Sequence, residues 1–172
     1  KTGLPPGALV HIGEVKTGPA TMVLTAFGPD GLVERELTGA ADLAALDEGF
    51  PVRWLNVYGV HDVDLLAAIG QRFGLHPLVI EDILNTDQRP KLDVYEEYLF
   101  VVGQIYDVAR DRADLVTDQI SMVVGRDFVL TFQERRTGTF EPTRNRLRAE
   151  RSPLRRQGAD YLAYTLLDAI VD

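Results

Sequence analysis

Cysteine is absent from this 172-residue chain. Disulfides and thiolate-bound metals are therefore excluded, and a hard-cation or metal-free protein fits better than a zinc protein. Serine is nearly absent too: only Ser121 and Ser152 occur, and neither lies in a Gly-x-Ser-x-Gly elbow. The three histidines, His11, His61 and His76, are scattered, and the last two each precede a predicted helix, where a turn or cap accounts for them. No Gly-x-Gly-x-x-Gly is present; Gly13 to Gly18 starts like a phosphate loop, but Pro19 stands where lysine belongs. Nucleophilic, dinucleotide and phosphate-loop enzymes are thus disfavoured, and the chain reads as a non-enzyme. No apolar run approaches the ~20 residues of a membrane helix, and no signal peptide, internal repeat or low-complexity tract is visible.

What remains is ordinary globular material. Hydrophobic residues make up 45% and charged residues 26%, enough for one domain with its own core. The net charge of −8 is unevenly spread. Residues 135–156 hold eight arginines against Glu141 and Glu150, a window of +6 that leaves −14 for the rest. The acidic remainder repels nucleic acid, and no basic patch interleaved with aromatics argues for it. The window itself reads as a solvated, Arg-rich helix, with anionic lipid headgroups or a neighbouring subunit as the alternative contact.

Alternation and turn residues predict strands at 8–15, 21–27, 32–37, 52–58, 94–106, 117–124 and 128–133. Gly125-Arg126-Asp127 predicts a hairpin between the last two, and Gly28-Pro29-Asp30-Gly31 another turn. Helices are expected at 42–46, 62–73 (capped by Asp62, stopped by Gly74), 77–84, 142–151 and 160–172. Trp54, Tyr95 and Phe100 are expected in the core or on a sheet face. This order suits an α/β fold: a mixed sheet with helices on both faces.

The stretch from His76 to Lys91 is the most informative. Pro77 suits a first helical position, and Pro90 forbids continuation. Leu78, Ile83 and Leu84 can face a core, while Glu81 and Asp82 place adjacent carboxylates about 100° apart on the helix. They therefore suit offering one oxygen each to ions shared with another surface. Arg89 and Lys91 can pair with Glu81 or Asp87, pairs worth little at a surface. Asp168 and Asp172 share a helix face at i, i+4, with no basic residue at helical spacing, opposite an apolar face of Leu162, Leu166, Ala169 and Ile170. A divalent cation would turn their repulsion into attraction, with magnesium or calcium the hard-ion choice. A merely solvated acidic pair has the same pattern.

The His76–Lys91 stretch resembles the cytoplasmic domain of CorA-type magnesium/cobalt transport proteins. The likeness continues, in order, through Gly3-Leu4-Pro5-Pro6-Gly7, Trp54-Leu55-Asn56 with Gly59 and His61, Phe132-Gln133-Glu134, and Ala159-Asp160-Tyr161-Leu162 leading to Asp168. It covers nearly the whole chain. The resemblance implies an α/β/α sandwich over residues 1–172, forming one regulatory domain that ends at the start of a stalk helix. It implies regulatory Mg2+ or Co2+ between adjacent subunits, held by Glu81 and Asp82 on one and Asp168 on the other. Leu4 marks the N-terminal loop that contributes a backbone oxygen. Asp172 becomes an outer-shell neighbour, and a further stalk-helix aspartate lies outside this sequence.

The implied partners are identical subunits, five in the full-length protein. That protein sits in the inner membrane with this domain on the cytoplasmic side. Lys1 at the start, and a last helix with neither glycine nor basic residues at its end, suit a chain cut from such a protein. The family's Gly-Met-Asn pore motif is not in this sequence. The alternatives are a zinc-transporting relative and a stand-alone soluble metal-binding or interaction module.

Overall fold

The computed structural model describes residues 3–5, 7–46, 49–108 and 115–172. Lys1, and Pro6 of the glycine-proline motif, lie outside the described residues. Seven strands form one mixed sheet: β1 (Thr21–Gly28), β2 (Gly31–Leu37), β3 (Val52–Tyr58), β4 (Lys91–Val94), β5 (Leu99–Val108), β6 (Leu115–Val124) and β7 (Phe128–Gln133), in the order β2-β1-β3-β7-β6-β5-β4. Every neighbouring pair is antiparallel except β3 and β7, which run parallel with Trp54 beside Val129.

Strand alternation divides the core between two faces. Met22 and Leu24 of β1, Leu55 and Val57 of β3, and Leu130 and Phe132 of β7 turn to one face. There α1 (Val63–Phe73) and α2 (Pro77–Leu84) cover them. Phe27, Trp54, Val129 and Met122 turn to the other face, beneath α3 (Glu141–Arg148) and α4 (Ala159–Val171). The expected α/β/α sandwich is what the chain adopts.

The helix boundaries follow from named residues. Asp62 accepts the Leu65 N–H at 3.0 Å, and Gly74 closes α1 at φ 65°, a left-handed value that suits glycine. Asp62→Ala is expected to destabilise the domain by about 1 kcal/mol in a urea unfolding titration. Pro77 opens α2 behind His76, whose Nδ1 accepts the Leu78 N–H at 3.1 Å. Gly70 lets α1 and α2 touch: a Cβ there would lie 2.8 Å from Ile80 Cγ1.

Several expectations are corrected. Residues 8–15 form no strand; only Ile12 makes a bridge, to Asn85, because glycines 7, 13 and 18 and Pro19 break the segment and Val15 is exposed. The long strand at 94–106 is two strands, β4 and β5, turned at Tyr95 to Tyr98, where the Tyr95 N–H donates to the Tyr98 carbonyl. The helix at 42–46 is a 3-10 turn, Ala40–Ala44, and a second such turn, Pro153–Arg156, was not foreseen. Helix α3 stops at Arg148 rather than 151. Leu78 is half exposed; Val79 and Ile80 are buried in its place alongside Ile83 and Leu84.

The Arg-rich window is not a solvated face throughout. Arg144 is buried, its guanidinium 4.1 Å from the centre of the Trp54 ring and donating to Thr25 Oγ1 at 3.0 Å. Arg135 pairs with Asp118, Arg136 with Glu36, and Arg148 with Glu34 and Glu141, each within 2.8 Å. Acids of β2, β6 and α3 thus neutralise three of the window's eight arginines within the chain.

Candidate metal centre

Helix α2 presents its two carboxylates at the C-terminal half of the helix, over the β4–β5 edge. Asp82 is held from both sides. Its Oδ1 accepts from Gln88 Nε2 at 3.1 Å and its Oδ2 from Lys91 Nζ at 2.6 Å. The same ammonium reaches Asp93 Oδ2 at 2.9 Å. Burial pulls the Lys91 pKa down, but the hydrogen bonds to Asp82 and Asp93 outweigh it and hold it above the ordinary lysine value. Glu81, half-buried, projects from the neighbouring helix position.

Asp168 lies on α4, beneath the opposite face of the sheet. It is exposed and lines a shallow cleft of about 240 Å³ with Arg146, Thr165 and Asp172. Leu4 is exposed in the N-terminal segment, next to a turn in which the Ala8 N–H donates to the Pro5 carbonyl. The structure therefore brings Glu81 and Asp82 together and does not bring either to Asp168. Among the described residues no group of three or more histidines and carboxylates is placed to hold a metal ion. The carboxylates fit a hard cation by donor chemistry, since all are oxygen ligands, but within one chain they stand on opposite faces of the sheet. Two clefts, of about 720 and 500 Å³, are lined by none of Glu81, Asp82 and Asp168.

Much of the recurring motif is scaffold. Asn56 Nδ2 donates to Gln133 Oε1 at 3.1 Å and Trp54 Nε1 to Thr131 Oγ1 at 2.9 Å, stitching β3 to β7 through buried side chains. The Gln88 N–H donates to Gln119 Oε1, and Gln119 Nε2 to the Asn85 carbonyl, so the loop after α2 is fixed to β6.

The sequence reading missed one cluster altogether. Lys16 enters the end of the sheet and donates to Asp118 Oδ1 at 3.2 Å, to Glu134 Oε2 at 3.1 Å and to the Thr117 carbonyl. Arg135 completes it on Asp118 Oδ2 at 2.7 Å. Burial pushes the Asp118 carboxyl up, but hydrogen bonds from Arg135 and Lys16 outweigh it and hold its pKa below the ordinary value. An isolated lysine in a broken segment carries no periodic signal, and its acids lie more than 100 residues away.

Comparison with known proteins adds the context. The family described as CorA-like Mg2+ transporter protein matches residues 51–172. The cobalt/magnesium transport protein CorA of Thermotoga maritima is 36% identical over all 172 residues. The chain spans 49% of that relative's length. Among solved structures, the full-length CmaX protein superposes with a TM-score of 0.68 at 18% identity, covering 92% of this chain and 47% of that one. The soluble domain of CorA from Methanocaldococcus jannaschii gives 0.63 at 14%, covering 87% and 55%. The ZntB cytoplasmic domain from Vibrio parahaemolyticus gives 0.63 at 9%, covering 87% and 57%. These three likenesses speak to the fold.

Proposed function

The chain belongs to the CorA-like Mg2+ transporter family, and from that premise we propose that it is the ion-sensing domain, spanning residues 1–172, of a divalent-cation transporter gated by Mg2+ bound between subunits. The family is one of ion transporters, not enzymes. Among the described residues no helix is long and apolar enough to cross a membrane. The chain spans 49% of the Thermotoga relative's length, and we assign transport to a longer protein placed in the cell membrane with this domain on the cytoplasmic side. There the domain assembles with identical copies, as a pentamer.

One observation carries the reading. Glu81 and Asp82 lie on one face of the sheet and Asp168 on the other. An ion shared by both half-sites needs two copies of the chain. Each such ion stabilises the paired copies by RT ln(1 + [L]/Kd), about 1.4 kcal/mol at ten times Kd. Several symmetric sites reach the several kcal/mol that invert a two-state gate. When the ion is scarce, the acidic surfaces repel and the copies separate. The N-terminal loop at Leu4 contributes a backbone oxygen, and Asp172 is an outer-shell neighbour of Asp168.

The ion is Mg2+, with Co2+ as a second substrate. The zinc-transporting alternative shares the fold, as the ZntB likeness indicates, so the donors must decide. The chain has no cysteine, and the candidate donors Glu81, Asp82 and Asp168 are all carboxylates, which favours a hard cation over zinc. Calorimetric titration of Mg2+, Co2+ and Zn2+ tests this. Wild-type protein should bind Mg2+ and Co2+, and Asp82→Ala combined with Asp168→Ala should lower the affinity at least tenfold. Unchanged Mg2+ affinity in the double variant, or a preference for Zn2+, would sink the reading.

A further inference from the structure

We propose that Lys91 is the resident cation of the Asp82 half-site: its ammonium holds the position a divalent ion takes, so ion binding there is an exchange, and Lys91 sets the concentration at which the site fills. This rests on Asp82 being an ion ligand and adds what regulates it.

The geometry is that of a substitute cation. Lys91 Nζ lies 2.6 Å from Asp82 Oδ2 and 2.9 Å from Asp93 Oδ2, one charge bridging two carboxylates. Gln88 Nε2 covers the remaining Asp82 oxygen. Neither oxygen of Asp82 is left without a donor. Mg2+ binds carboxylate oxygen at about 2.1 Å. Such an ion on Oδ2 would face the ammonium across a few ångströms, a like-charge contact that ejects the weaker holder. The ejected ammonium has a place to go. Asp93 is two residues along the same strand and so on the same sheet face, and Lys91 keeps that partner while it releases Asp82.

The pair is also shielded enough to matter, with the Asp82 and Lys91 side chains 21% and 32% exposed.

Magnesium chloride titrations of the intact chain, followed by calorimetry and by the Lys91 15Nζ resonance, test the exchange. Lys91→Gln should bind Mg2+ roughly tenfold more tightly, a factor equal to about 1.4 kcal/mol. Arg89→Gln removes the neighbouring exposed charge without touching Asp82 and should gain no more than about threefold, the through-space share of the effect. Lys91→Arg keeps the cation and should show no gain. In wild type, the Nζ resonance should move as Mg2+ is added. Lys91→Gln affinity equal to wild type, or a gain matched by Arg89→Gln, overturns the exchange while Asp82 stays a ligand. Loss of binding in Asp82→Asn marks that ligand role. Absence of Mg2+ binding in both wild type and Lys91→Gln overturns the ligand role and the exchange together. Thermal melts of each variant confirm that affinities are compared between folded proteins.

Discussion

Trp54→Ala lowers the unfolding free energy by about 3–5 kcal/mol, a large part of what a domain of this size has. Trp54 is fully buried at the centre of the α3–α4 face. Its ring meets Phe140 edge-on at 5.7 Å and carries the Arg144 guanidinium on its face at 4.1 Å. Its Nε1–H donates to buried Thr131 Oγ1 at 2.9 Å. Alanine leaves a cavity, an unpaired hydroxyl and a buried cation that has lost its platform. Trp54→Phe keeps most of the ring and loses the hydrogen bond, so its loss should be smaller, about 1–2 kcal/mol. Urea unfolding followed by circular dichroism measures both. A Trp54→Ala loss below about 1 kcal/mol would show that this face contributes little.

Lys16→Met is expected to destabilise by about 3 kcal/mol at neutral pH, because it leaves a buried carboxylate without its cation. The Asp118 and Glu134 side chains are each 4% exposed and Lys16 20%. Arg135 still covers Asp118, but Glu134 keeps only the Gln119 N–H at 2.7 Å. The pH dependence follows from the two shifts. The Asp118 pKa is lowered on folding, so its stabilisation is present above the unfolded value of 3.8 and is lost as pH falls through the folded one. The Lys16 pKa is raised, so its stabilisation is full below 10.5 and is lost only as pH rises through the folded value. Burial opposes both shifts, and the mutual hydrogen bonds override it. The gap between wild type and Lys16→Met should be widest between these limits and should narrow as pH falls through the folded value of Asp118. Unfolding titrations from neutral pH down through that value measure it, and a gap of constant size would remove the charge argument.

The sequence was most legible where a local signal was also the tertiary one. Strands β3 and β7 match their predicted bounds, the 125–127 reversal is the β6–β7 hairpin, and Asp62, Gly74 and Pro77 mark the ends of α1 and α2 as expected. Failures arose where local pattern and long-range pairing diverge. Residues 8–15 alternate like a strand, yet no neighbouring strand accepts them. The 94–106 run is mostly apolar, and only Glu96 and Glu97 hint at the turn near its start. Arg144 looked like its exposed neighbours because the partner that buries it, Trp54, is 90 residues away. Glu81, Asp82 and Asp168 were legible as carboxylates on helix faces, and only the family resemblance linked them as ion ligands. That Asp82 is already engaged by Lys91 was not legible, because lysine two residues after arginine reads as surface charge.

The parallel β3–β7 seam has a consequence for assembly of the polypeptide itself. Within residues 21–58 β1 can pair with β2 on one side and β3 on the other, and residues 91–133 can zip into a meander, each by short-range contacts. The seam between them joins Arg53 to Phe128, across 75 positions. It closes only after the meander exists, at the loop-closure cost that slows non-local pairing. A nascent chain leaving the ribosome thus exposes the β3 border of its first three strands until β7 emerges, and that interval is its most aggregation-prone.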